Sequence, residues 1–213
     1  MKSYVITITT LPKSVEIANR CIESGKQFGI DVEIFPAITP KNNVYELAKV
    51  YGINIDAFDE RFSRKENAIA CFLSHYSLWK QCVDTNENIF ILEHDAVITN
   101  KIDMNMNFKG VLSLGKPSYG KFTKPNNGIS RLTSKDYLPG AHAYMINPMA
   151  ANALINKSRI KAIPTDVFID RRSFPWVEEF YPWPVEVQDS FSTVQKLSGC
   201  IAKHNYKEGF GII

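Results

Sequence analysis

The alternation of apolar and polar positions divides the chain into strand-like and helix-like stretches before any residue takes a chemical role. Residues 3–9 are dense in β-branched and aromatic side chains and predict a first strand. After Pro12, Val15, Ala18, Cys21 and Ile22 recur at helical spacing, and Gly29 closes the run. Residues 32–37 return to a strand pattern. The chain therefore opens as strand, helix, strand, the unit that builds parallel sheets. A short helix over residues 43–51 ends at Gly52, and a longer one follows. In it Ile69, Phe72, Leu73, Tyr76, Trp79 and Val83 form an apolar stripe, and Ser63 and Glu66 have the spacing of a reciprocal capping box.

Residues 89–92 are four bulky apolar side chains in a row, too short a run for a typical helix. They predict a strand buried on both faces. Acids then appear abruptly as Glu93 and Asp95, at the carboxyl end of that strand, where open α/β sheets collect their ligands. Residues two apart in extended chain point to one side, and paired carboxylates there suit a divalent cation on a diphosphate. Further on, residues 111–114 and 140–146 predict strands. Asn147 and Pro148 have the cap and first-turn chemistry of a helix running to Ile155, and Thr165 or Asp166 is placed to cap a short element after Pro164.

At 213 residues, 45% of them hydrophobic, the chain is expected to form one domain, with a nucleotide-sugar half over about 1–100 and an acceptor half over about 101–213. No apolar run is long enough to span a bilayer, and a cytoplasmic location is expected. Cys21, Cys71, Cys82 and Cys200 form no close pair and read as reduced thiols without assigned chemistry. His75, inside the apolar helix, reads as a satisfied structural histidine. The net charge of +3 is mild, but it is unevenly spread. Between Met104 and Lys135 there is no acid, while Lys109, Lys116, Lys121, Lys124, Arg131 and Lys135 are interleaved with Tyr119 and Phe122. Such a segment suits a diphosphate or a polyanionic acceptor; a solvated loop is the alternative.

Several stretches, taken in order, resemble family 25 glycosyltransferases. They are the opening strand through Thr7 and Ile8, the segment Phe35 to Ala37, and the helix around Cys71, Ser74, His75 and Trp79. The acidic strand end Leu92, Glu93, His94, Asp95 follows, then the small-residue stretch 140–151 and the Pro164, Thr165, Asp166 element. The resemblance implies an α/β fold of GT-A type, with a Rossmann-like, mostly parallel central sheet flanked by helices. It implies a nucleotide-sugar donor, a UDP-sugar foremost, bound near Thr7, Ile8, Thr9, Ala37, Ser74, His75 and Glu93. It also implies Mn²⁺ or Mg²⁺ held by Glu93, Asp95 and His204, and an inverting displacement with Asp166 as base and His142 second. His94 stands where the family usually has an acid. The acceptor is expected to be polyanionic, first DNA with hydroxymethylated pyrimidines, as in bacteriophage DNA modification, and second a lipooligosaccharide core. Two other classes stay open: a metal phosphohydrolase using His94 and Asp95 on a helix, and a non-catalytic nucleic-acid-binding module.

Overall fold

The computed structural model describes residues 1–60, 63–118, 121–138, 141–188 and 192–194. His204, Gly140, Tyr119, Gly120 and Cys200 lie outside the described residues. In chain order the elements are β1 (Lys2–Thr7), α1 (Pro12–Gln27), β2 (Val32–Pro36), α2 (Val44–Val50), α3 (Lys65–Thr85) and β3 (Ile89–Glu93). There follow β4 (Ala96–Ile98), β5 (Val111–Ser113), β6 (Gly128–Arg131), β7 (Ala143–Ile146), α4 (Pro148–Ile160), α5 (Thr165–Phe168), β8 (Val177–Tyr181) and β9 (Val185–Val187).

Seven strands form one sheet in the order β2-β1-β3-β7-β5-β8-β6, and β4 pairs with β9 beside it. Five of the seven run in one direction, because β1 is parallel to β2 and β3, and β5 to β8, while β7 and β6 run against their neighbours. The α/β expectation holds, with an antiparallel strand set into the middle of the sheet. Its carboxyl edge is made by the ends of β1, β2, β3 and β5 and by the start of β7.

Strand β3 sits between β1 and β7, so both its edges are paired. Ile89 and Ile91 pack into the layer containing α3 and α4, and Phe90 and Leu92 into the layer containing α1. Phe90, Ile91 and Leu92 are fully buried, each contributing about 1.5–3 kcal/mol of apolar burial. This accounts for an unbroken apolar run instead of an alternating one.

Local chemistry sets most helix ends. Pro12 begins α1, and Gly29 after it takes a φ of 73°, a left-handed conformation that glycine adopts without strain. Asn147 caps α4 by accepting from the Ala150 amide at 2.9 Å, with Pro148 in the first turn. The capping box at the start of α3 does not form: the cap position is Arg64, with no side-chain cap bond. A long-range contact takes its place. The Arg64 amide donates to the Val194 carbonyl at 2.9 Å, and Asn67 Nδ2 donates to the Thr193 carbonyl at 2.9 Å. At α5 the cap position is Pro164, and neither Thr165 nor Asp166 occupies it.

Candidate functional site

Helix α3 points its first turns at the end of β3, and this sets the site. Cys71 and His75 are one turn apart on one helix face. His75 is fully buried, and its Nε2 lies 3.2 Å from Glu93 Oε1. Cys71 Sγ donates to the same oxygen at 3.9 Å. Behind His75, its Nδ1 lies 2.9 Å from the Tyr144 hydroxyl, which accepts from Trp79 Nε1 at 2.8 Å. A chain of polar contacts thus runs from the core beneath β7 to the Glu93 carboxylate. The Glu93 side chain keeps 32% exposure, so its outer end faces solvent.

The electrostatics follow from this packing. Burial pushes the Glu93 carboxyl up, but the His75 hydrogen bond and the fields of His75, His142 and His94 outweigh it, and the group is held below its ordinary value. Burial, then the charges of Glu93, Asp166 and Asp95, lift the Cys71 thiol well above the usual range. Burial lowers His142 to about 4, against a weaker upward pull from Glu93, so this imidazole is neutral at pH 7. Its Nε2 is buried without a hydrogen-bond partner among the described residues, directly against Gly115, where an added Cβ would stand 2.2 Å from that nitrogen.

The other sequence-derived residues separate into surface and support. Asp95 is 8% exposed in the turn between β3 and β4. His94, in the same turn, approaches Ser14 Oγ at 2.9 Å, and that oxygen also accepts from the Ile8 amide at 3.0 Å. The residue in place of the family's acid thus ties the turn to the start of α1. The His94 and Asp95 pair is not helical, so the condition for the phosphohydrolase alternative is not met. Thr7, Ile8 and Ser74 are buried. Ser74 donates to the Ala70 carbonyl and accepts from the Ile38 amide, both at 2.9 Å, fastening α3 to the loop after β2. Thr9 is exposed and Ala37 half-buried. Asp166 is half-buried on α5 and accepts from the Val167 amide at 2.9 Å.

Among the described residues, the one group of three or more Cys, His, Asp or Glu donor atoms close enough to share an ion is Cys71, His75 and Glu93, all within 4.8 Å of one another. Asp95 is outside that group. Sulfur, nitrogen and oxygen donors fit a divalent ion of transition-metal character better than the oxygen-rich set that Mg²⁺ or Mn²⁺ prefers. Reading the chain as sequence gave Cys71 no role. The available signal was its spacing of four from His75 on a helix preceding the acidic strand.

The basic segment is less basic in space than along the chain. Lys116 Nζ meets Glu186 at 2.9 Å and Lys109 Nζ meets Glu178 at 3.5 Å, so acids from β9 and β8 fill the gap. Lys124 lies over the Tyr181 ring, and Arg171 and Arg172 both hold Asp136. No helix among the described residues is long and apolar enough to cross a membrane.

Residues 1–134 match the model of glycosyltransferase family 25, described as LPS biosynthesis protein. A glycosyltransferase 25 family member of Aedes aegypti is 28% identical over 97 residues, covering 43% of this chain and 16% of that protein. A glycosyltransferase 25 family member of Anopheles gambiae is 32% identical over 98 residues, covering 42% of this chain and 16% of that protein. The matched stretch is thus a small part of either relative.

Proposed function

The chain belongs to glycosyltransferase family 25, and from that premise we propose that it moves a sugar from a nucleotide-sugar to an acceptor hydroxyl in a single inverting displacement. The observation that supports this most is the position of Glu93 and Asp95 at the end of β3, on the carboxyl edge of the sheet, with Glu93 meeting Cys71 and His75. Asp166 takes the proton from the acceptor hydroxyl, the freed oxygen bonds to the anomeric carbon, and the nucleoside diphosphate leaves with the electron pair of the broken bond. His142 is the weaker choice of base: at 2% exposure it is shut off from an acceptor, and with its pKa lowered to about 4 it has little affinity for the proton it would have to take. The donor, a UDP-sugar foremost, lies along Thr9 and Ala37 toward Glu93, while Thr7, Ile8, Ser74 and His75 support that bed from beneath. A divalent ion bound at Glu93 would neutralise the departing diphosphate.

The acceptor we propose is a sugar hydroxyl on a phosphorylated lipooligosaccharide-type core. The family description supports it, and the ion pairs of Lys109 and Lys116 weaken the argument for a nucleic acid. Hydroxymethylated pyrimidine DNA comes second, supported by Lys121, Lys124, Arg131 and the exposed Phe122. The test is incubation with a panel of nucleotide-sugars and with Mn²⁺, Mg²⁺ or Zn²⁺, offering either acceptor and measuring its mass. A gain of one sugar residue on lipooligosaccharide supports the reading, and a gain on DNA alone replaces the acceptor. Unchanged mass on both with every donor and ion overturns it.

A further inference from the structure

We propose that Cys71, His75 and Glu93 form a site for a zinc-class divalent ion, with one coordination position open toward solvent. Tetrahedral ligands at about 2.0–2.3 Å from an ion stand about 3.3–3.7 Å apart. The Nε2 to Oε1 separation of 3.2 Å and the Sγ to Oε1 separation of 3.9 Å are each within a few tenths of an ångström of that range, and all three donor atoms lie within 4.8 Å of one another. Two ligands come from one face of a rigid helix and the third from the end of a fully packed strand, so the frame is held without any loop.

The surroundings are those of a metal ligand set. A ligating imidazole is fixed by what its other nitrogen meets. Here the Tyr144 hydroxyl stands 2.9 Å from Nδ1 and is itself held by Trp79. Tyr144 suits either state. Its O–H donates to Nδ1 when Nε2–H points at Glu93, and its oxygen accepts from Nδ1–H when the Nε2 lone pair takes a metal. The local charge is negative: Glu93, Asp166 and Asp95 all act on Cys71. A divalent cation balances them. On binding, the Cys71 S–H bond breaks, the proton goes to water and the sulfur electron pair bonds the ion; no oxidation is involved. Three protein ligands with a fourth position open is the pattern of ion sites that bind an exchangeable oxygen, such as a diphosphate oxygen. The solvent-facing end of Glu93 marks that side.

The proposal concerns the ion and stands apart from the transferase reading. Protein stripped with a chelator is titrated with Co²⁺ and, separately, with Zn²⁺ followed by elemental analysis. One ion per chain, with a thiolate-to-cobalt charge-transfer band and the intense visible bands of tetrahedral Co²⁺, is expected. Cys71→Ser should lose the charge-transfer band and at least tenfold in Zn²⁺ affinity. Tyr144→Phe should weaken Zn²⁺ by roughly 10–100-fold with the band retained. Because Cys71 is only half-buried, circular dichroism should show Cys71→Ser still folded. If that variant unfolds, Cys71→Ala and His75→Gln carry the same test. A band that survives Cys71→Ser, or stoichiometric Zn²⁺ binding that Asp95→Ala removes and Cys71→Ser does not, overturns the site. Sugar transfer with Mn²⁺ in a protein that gives no Co²⁺ band overturns this inference alone, and Zn²⁺ binding without transfer overturns only the transferase reading.

Discussion

Asp166 and Gly115 show how differently single residues serve the site. Asp166 is half-buried at the start of a short helix, and its carboxylate accepts from the next amide. Asp166→Asn should therefore leave donor affinity and thermal stability near wild type while lowering kcat by about 10²–10⁴-fold, read by steady-state kinetics. Gly115 is a question of space. An alanine Cβ would stand 2.2 Å from His142 Nε2 and 2.7 Å from its Cε1, so the buried ring must move, at a cost of about 1–3 kcal/mol in a urea titration. The thiols offer a third test. Burial lifts Cys21 and Cys82 each to about 12, so neither should react with iodoacetamide at pH 8 until the protein unfolds, as peptide mapping would show. Their unfolded value is near 9, so the folded state binds more protons between about pH 9 and 12, and stability falls as pH rises through that window.

At the scale of elements, the start of α3 shows where local pattern stops being sufficient. Ser63 and Glu66 have the right spacing for a capping box, yet the helix begins at Lys65 and its first turn is held by the carbonyls of Thr193 and Val194, more than a hundred residues away. No local signal encodes such a partner. Asn67→Ala should lose the bond to Thr193 and cost about 1 kcal/mol in a denaturant titration, although asparagine is the poorer helix former. Where the determinants are near in sequence, the reading succeeds. Pro12, Gly29, Gly52, Asn147 and Pro148 stand at helix ends as expected. The pairing of Cys71 with His75 and Glu93 falls between these cases: each residue was visible, but their meeting depends on how α3 packs on β3.

At the scale of the whole molecule, the unbroken apolar run of β3 made its central place legible, and the acids after it marked the carboxyl end of that strand. The reversed direction of β7 was not legible, because side-chain pattern records which faces are buried and not which way a strand runs. The spatial neighbours of the basic segment were equally hidden, since Glu178 and Glu186 lie some 70 residues from the lysines they meet. The family match ends at residue 134, whereas β7, between β3 and β5, spans Ala143–Ile146. A fragment of residues 1–134 should therefore stay unfolded by circular dichroism and amide-proton dispersion, since β3 would lose one neighbour and β5 both.

The same insertion of β7 bears on biosynthesis. A ribosome releases β3 some fifty residues before β7, so one edge of β3 stays unpaired while the chain is still emerging, although β1 can already pair with the other. During that interval the waiting edge of β3 offers its unpaired backbone groups to any other chain, until the second half of the protein closes it.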